Sequence, residues 1–507
     1  MKRRDFLKAS VGAGVAVSTP FAGSSGVFVP LSPQEGRTLY DKIWDSHVVA
    51  NLGGDTDLLA IDRNIIMDGG PGSVMGLLEE RLTIAHPELH WTVCDHYVST
   101  SPNRYTNRSL NIGSTHEDFV TYAEELREMG IQAFGIDDPQ FGIQHVVGPE
   151  TGLTQPGMLV VGGDSHTATH GAMGCVSWGG SGGAGLRNVL RTGTVIRTRA
   201  KRMRITIEGT LGPWVRAKDV SLYVIGQLGA AGGNGYAVEY AGPVVRAMSM
   251  DSRLTLCNLN IEMSSTTGMV APDDTTYEYL AGREFAPPGP YWDQALRSWR
   301  SLPSDPDVVF DREETIDMSS VEPQVTWGVN SEHVVGISER VPDPDDAPAG
   351  YRESVQAALD YTGLTPGNPI AGTPIDEVFI GSCTESRIDD LRAAAEVVAG
   401  RQVAPNVIAW VIAGAMPIKR QAEAEGLDRI FTEAGFEWRE PGCSKCIGMN
   451  GEHVAPGNRA VSNSNRNFIG RQGRDSITHL ASTPMAAAAA IAGRIVDVRR
   501  LMQGEPV

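Results

Sequence analysis

The chain has 507 residues, 41% of them hydrophobic and 21% charged, an ordinary globular composition too long for one core and suited to two to four domains. A net charge of −18 argues against nucleic acid as a partner, since phosphate binding needs a basic footprint, but leaves room for an anionic ligand held by local arginines. Six cysteines are too few for a disulfide scaffold at this length. The absence of an apolar run of about 20 residues argues against a membrane span.

In chain order, the first 36 residues read as a leader rather than as fold. Basic Lys2-Arg3-Arg4 and Asp5-Phe6-Leu7-Lys8 precede a small, mildly apolar stretch, Ala9 to Val17. This is the layout of an export signal, of the twin-arginine type, and predicts a periplasmic or exterior location; a cytoplasmic one follows if the leader is not used. The globular part begins with Tyr40, Ile43 and Trp44 at helical spacing. Leu58 to Asp62 reads as a strand, and Thr92-Val93-Cys94 as a short apolar run ending in Asp95-His96. A helix is predicted from His116 to Met129, with Phe119, Tyr122 and Leu126 on one side. Met158 to Gly162 is a strand that empties into Gly163-Asp164-Ser165-His166-Thr167; in open α/β sheets such strand ends line the ligand crevice. Gly179 to Gly185 reads as a tight turn, because no Lys-Ser/Thr pair follows to make a phosphate loop.

Further on, Met203 to Ile207 is strand-like and Tyr236 to Tyr240 follows a glycine-rich loop. Leu254 to Glu262 runs from apolar to polar residues, and Asp273 to Pro348 reads as irregular structure and a long connector. Then come a helix at Arg352 to Tyr361, a strand at Val378 to Ile380, a helix at Asp389 to Val398, a strand at Val407 to Ile412, a helix at Ile418 to Leu427 and an Ala-rich helix at Pro484 to Gly493. Strands alternating with helices predict an α/β class with mostly parallel sheets. No internal repeat is evident.

The chemistry centres on Pro441-Gly442-Cys443-Ser444-Lys445-Cys446, with a third cysteine upstream in Gly381-Ser382-Cys383-Thr384. Three thiolates suit an iron–sulfur cluster, which would leave one iron open to act as a Lewis acid. A zinc knuckle and buried free thiols are the plain alternatives; structural zinc wants four ligands and no second C-x-x-C is present. The cysteines alone do not decide.

These blocks, with Thr38-Leu39-Tyr40-Asp41-Lys42-Ile43-Trp44 and Ser464-Asn465-Arg466-Asn467-Phe468, resemble the large subunits of 3-isopropylmalate dehydratases in the aconitase superfamily, over about Arg37 to Arg499. The resemblance implies three α/β/α domains around a [4Fe–4S] cluster, here at 37–200, 201–345 and 346–507. It implies that Cys383, Cys443 and Cys446 hold the cluster and that Asn465 contacts it. Asp95 and His96 would help protonate a departing hydroxyl, with His145, Asp164, Ser165, His166 and Glu262 as further catalytic groups. Asn258, Arg466, Arg471 and Ser73 would contact a hydroxy-diacid substrate. These types fit the chemistry: an Asp–His pair fixes an imidazole's tautomer, and arginine binds carboxylates bidentately. Singly, each histidine is more often a hydrogen-bonded core residue and each arginine a surface ion pair.

The superfamily's proton-abstracting serine, on a Gly-Ser-Arg-type loop, is not found, so a separate small subunit is expected to complete the site. Four positions depart from the pattern: Asn64 where His is usual, Ser73 for a substrate-holding Gln, Gly185-Leu186-Arg187-Asn188 where glutamates are expected, and Glu385 for an Asn. Glu385 would place a negative charge near the cluster. The expectation is an iron–sulfur hydro-lyase converting 2- to 3-isopropylmalate, as in leucine biosynthesis. A hydratase for citramalate, dimethylmalate or homoaconitate is the alternative, and a non-catalytic exported or sensing cluster protein the alternative of another class.

Overall fold

Three parallel sheets position everything that follows, and each takes its strands from one stretch of chain: 63–178, 201–317 and 377–480. The computed structural model describes residues 36–68, 70–107, 123–180, 184–347 and 350–506. The expected leader, apart from Gly36, lies outside them, as do Phe119 and Tyr122 of the helix expected at His116 to Met129. The described end of that helix buries Leu126.

In the first sheet the central strand is Arg63–Ile66. On one side lie His90–Val93 and then Gln132–Phe134; on the other, Leu159–Gly162 and then Val176–Trp178. Ile65 pairs with Trp91 on one flank and with Gly162 on the other. The third sheet has the same order: Glu377–Ile380 is central, flanked by Ile408–Ile412 and Glu437–Arg439 on one side and by Arg459–Ser462 and Ile477–Leu480 on the other. Val378 pairs with Ala409 and Val461. The second sheet, four strands, repeats the first part of the pattern, with Lys201–Glu208 between Tyr236–Ala241 and Arg312–Asp317 and Thr267–Val270 outermost. In every case the chain winds one way from the central strand and then returns to its other side. Such a switch point splays the loops at the carboxyl ends and opens a crevice. The strands read as unbroken apolar runs because both faces are covered: Leu159–Gly162 and Glu377–Ile380 are buried throughout.

Most predicted elements appear within a residue or two. The first helix is Leu39–His47, started by a Thr38–Asp41 capping box, with Tyr40, Ile43 and Trp44 buried. The stretch from Asp273 to Pro348 is not a bare connector. It holds helices Asp274–Leu280 and Pro290–Trp299, the sheet-edge strand Arg312–Asp317 and the hairpin of Gln324–Thr326 with Val334–Gly336. Its Pro and Asp residues start helices rather than break them: Pro290 opens one and Asp273 caps the other. Leu254 to Glu262 is mainly helix, within Met250–Leu259, and the helix expected at Ile418 to Leu427 is two, Met416–Ala424 and Leu427–Ala434. No helix of the described residues is long and apolar enough to cross a membrane.

Candidate active site

The two five-stranded sheets deliver their switch-point loops to one place. From the first come Asp68, Asp95-His96 and Asp164-Ser165-His166, just past three adjacent strands; from the third come Cys383, Cys443 and Asn465. The helix Met250–Leu259 and the turn Asn260–Met263 bring Asn258 and Glu262.

All three cysteines are buried and unpaired. Asn465 ties two of them together: its Nδ2 lies 3.3 Å from Cys383 Sγ, and its Oδ1 lies 3.4 Å from Cys446 Sγ. Asn258 Nδ2 reaches Cys383 Sγ at 3.2 Å, Arg471 Nη2 stands 3.8 Å from Cys446 Sγ, and Cys443 Sγ is 3.4 Å from Asp95 Oδ2. Two of the loops bend through left-handed backbone at non-glycine residues, Ser382 (φ 76°) and Ser444 (φ 47°), each next to a cysteine. That geometry is unfavourable by about 1–2 kcal/mol per residue and persists only where the surroundings enforce it. Burial pushes Cys383 up to about 12 and Cys443 well above the thiol range; against burial, Arg471 holds Cys446 below it.

The three thiol sulfurs do not all lie within 4.8 Å of one another. Tetrahedral Zn–S bonds would bring sulfurs to about 3.8 Å. Yet the group of three metal-ligating side chains within 4.8 Å of one another among the described residues is Asp95, His96 and Cys443, not the three cysteines. That group is itself a hydrogen-bonded set, since His96 Nδ1 is already held by carboxylates. A multi-iron cluster, with each sulfur on a different iron, suits the wider spacing and the amide and guanidinium donors aimed at sulfur.

Beside the cysteines runs a buried acid–base array. His96 Nδ1 sits between two carboxylates, Asp68 Oδ2 at 2.7 Å and Asp95 Oδ1 at 2.9 Å, and its Nε2 faces Asp164 Oδ2 at 3.5 Å. Asp68 also accepts the His96 backbone N–H at 2.9 Å. Burial raises Asp68; against burial, His96 and the Gln144 N–H hold Asp95 down. His96 is held well above its usual range: burial opposes its charge, and Asp95, Cys443 and Asp68 outweigh it. Against burial, hydrogen bonds from His145, His166 and His96 hold Asp164 well below the carboxylate range. His145 Nε2 is 3.0 Å from Asp164 Oδ1, and its Nδ1 is 3.2 Å from His170 Nε2. His166 Nε2 meets Glu262 Oε1 at 2.9 Å. Arg466 Nε spans both Glu262 oxygens at 2.8 and 3.0 Å, and its Nη1 donates to Ser165 Oγ at 3.1 Å.

A scan against family models matches residues 41–493 to "Aconitase family (aconitate hydratase)". The chain belongs to the aconitase family. As a member of it, the chain is an enzyme of the hydro-lyase class. It is 53% identical over 468 residues to "3-isopropylmalate dehydratase large subunit 1" of Bradyrhizobium diazoefficiens (strain JCM 10833 / BCRC 13528 / IAM 13628 / NBRC 14792 / USDA 110), covering 92% of this chain and 97% of the relative. Among solved structures, holo aconitase X of Thermococcus kodakaraensis aligns over 89% of this chain and 90% of that one, at 13% identity and a TM-score of 0.44.

Within this aconitase-family site, nearly all of the expected residues lie in one hydrogen-bonded constellation. Ser73 does not join it: it lies on the helix Gly70–Glu79, part-buried, with no hydrogen bond to the other site residues among the described residues. Asp68 and His170 were missed. Asp68 follows its strand as Asp95 and Asp164 follow theirs, so strand-end position could have flagged it; His170 carries no such signal. Glu385 is fully buried but turned to the helix Thr483–Ala492, accepting the Thr483 N–H and Oγ1, both at 2.8 Å. Asn64 pairs with His90 at 3.2 Å in the sheet, and Arg187 forms an ion pair with Glu80. Gly179, the first residue of the glycine-rich stretch, packs against the site loop: a Cβ there would lie 2.3 Å from Asp164 O.

Proposed function

We propose that this chain is the large subunit of an iron–sulfur hydro-lyase acting on a substituted malate, with 2-isopropylmalate to 3-isopropylmalate as the reaction. The observation that carries it is the convergence of three buried cysteines, two of them bridged by Asn465, with the Asp68–His96–Asp164 array. The 53% identity to a relative named as a 3-isopropylmalate dehydratase large subunit supports this choice of substrate. Cys383, Cys443 and Cys446 would hold a [4Fe–4S] cluster, with Asn465 and Asn258 donating to the Cys383 sulfur. When bound, such a cluster supplies a Lewis acid for a hydroxyl and a carboxylate oxygen.

The chain's own residues do the rest. Arg471, whose buried Nε has no partner, takes a substrate carboxylate. Arg466 is fixed by Glu262 and Ser165 and presents its remaining donors to a second. His96, held as an imidazolium between Asp68 and Asp95, gives its proton to the departing hydroxyl, which leaves as water. A base takes the proton from the adjacent carbon, and the electron pair of that C–H bond forms the double bond as the C–O bond breaks. No base for that carbon is assigned in this chain; a small subunit supplies it, as "large subunit" in the relative's name supports. Returning water to the neighbouring carbon completes the isomerisation.

A related hydratase for citramalate, dimethylmalate or homoaconitate is the second reading, favoured by Asn64 and Ser73, both departures from the isopropylmalate pattern. A non-catalytic sensing role has no use for the intact acid–base array. Anaerobically purified protein should contain about four iron and four sulfide per chain, lost in Cys383→Ser. Co-expressed with a small subunit, it should hydrate 2-isopropylmaleate. Zinc in place of iron sinks the reading, and turnover of citraconate alone moves it to the second.

A further inference from the structure

Lys218 is fully buried in the helix Ala217–Leu228, under the loop that carries Asn465. Its ammonium donates to the carbonyl of Asn463 at 2.7 Å and to that of Ser464. Asn463 in turn clasps the Cys383 loop at both ends: its Oδ1 accepts the Gly381 N–H at 2.8 Å and its Nδ2 donates to Glu385 O at 2.6 Å. No carboxylate forms an ion pair with Lys218 among the described residues. The nearby acids are committed elsewhere. Asp219 accepts the Arg216 and Gln324 N–H groups, both at 2.8 Å, and Glu385 is held by Thr483. Glu385 and Asp219 favour the Lys218 charge from a distance, but a buried ammonium without a carboxylate in contact remains unfavourable. Burial lowers Lys218 to about 8, and Glu385 first, then Cys446, Asp219 and Cys383, oppose that fall.

We propose that Lys218 is the built-in counter-charge of the iron–sulfur cluster, which also pins the Asn463–Ser464 backbone so that Asn465 bridges two of the ligand sulfurs. This rests on the functional reading above. A cluster held by three thiolates is a buried anion, and Lys218 is, with the fully buried Arg387 that donates to the Cys383 carbonyl, a buried cation placed to offset it. It is a positioning residue, remote from substrate, and acts on how firmly the cluster is held and on its reduction potential.

The test uses the full chain, purified anaerobically, as wild type, Lys218→Gln and Lys218→Arg. Gln keeps a donor for the two carbonyls and removes the charge; Arg keeps the charge. Iron and sulfide are counted, iron loss to EDTA is timed, and the potential is read by a dithionite titration followed by electron paramagnetic resonance. Lys218→Gln is expected to show a more negative potential, because adding an electron next to a lost cation is harder, and several-fold faster iron loss. Lys218→Arg should restore both. Wild-type potential and retention in Lys218→Gln overturn the proposal while leaving the functional reading intact. A wild type without iron and sulfide overturns that reading and this one together. If Lys218→Gln fails to fold, Lys218→Arg decides: a folded Arg variant that cannot hold iron overturns the charge role, and one that matches wild type supports it.

Discussion

At Asp68 one buried carboxylate holds both the ring and the backbone N–H of His96, so a single side chain sets where the imidazole points. Asp68→Asn should lower kcat by roughly 10- to 100-fold with KM nearly unchanged, the size typical of losing an outer hydrogen-bond partner. Steady-state kinetics on cluster-loaded protein co-expressed with a small subunit, as in the proposed function, checks it; a rise in KM instead would place Asp68 on substrate. Arg471 gives the opposite split. Arg471→Gln should cost about 2 kcal/mol of binding and raise KM roughly thirtyfold, as expected for a charged hydrogen bond to a carboxylate. Asp68 is harder to read in the sequence because an Asp beside glycines also reads as a turn residue; its strand-end position is the local hint, and its distance to His96 decides. Cys383, Cys443, Asp95 and Asp164 were legible, because a cysteine pair and polar clusters at the ends of apolar runs are local signals.

At the scale of elements, close backbone approach is what brings the loops together. A Cβ on Gly171 would lie 1.7 Å from Gly268 O, where the segment Ser165–Met173 crosses the strand Thr267–Val270. Gly171→Ala should therefore destabilise the fold by about 3 kcal/mol and displace the Asp164–His166 turn. Thermal denaturation of the purified variant measures it, and a change within about 0.5 kcal/mol would mean the crossing adjusts freely.

Helix starts carry the pH dependence. Asp251 and Asp390 lie in the first turns of the helices Met250–Leu259 and Ile388–Val398. Burial, then Asp390, pushes Asp251 up to about 7; burial, then Glu385, pushes Asp390 up to about 8. Both are raised above their unfolded values, so their stabilising protonation is complete only below about pH 4 and is lost as pH climbs through 7 and 8. Asp251→Asn removes one such group. Its stability relative to wild type should rise between pH 5 and pH 8 by on the order of 2 kcal/mol, read from melting curves at the two pH values.

For the whole molecule, the contact of Cys443 with Asp95 joins the loops of the two five-stranded sheets, and the proposed cluster would sit at that junction. Removing iron should lower the melting temperature, because a group bound only by the folded state stabilises it. Melts before and after anaerobic chelation test this; equal melting temperatures would mean that the sheets hold the site without metal.

The sequence by itself determined the α/β class, most strands and helices, the three cysteines and the acid–base residues at strand ends. Apolar runs, capping residues and short motifs are local signals that survive without neighbours. What only the tertiary structure decided is everything that depends on distant chain meeting. The shared strand order of the three sheets left no repeat in the sequence, because topology is fixed by packing and not by matching residues. The turn of Glu385 toward a helix start, the two carboxylates on His96 and the unpaired buried ammonium of Lys218 belong to the same class. Each is a balance of burial and charge between segments up to about 250 residues apart, and no local pattern records it.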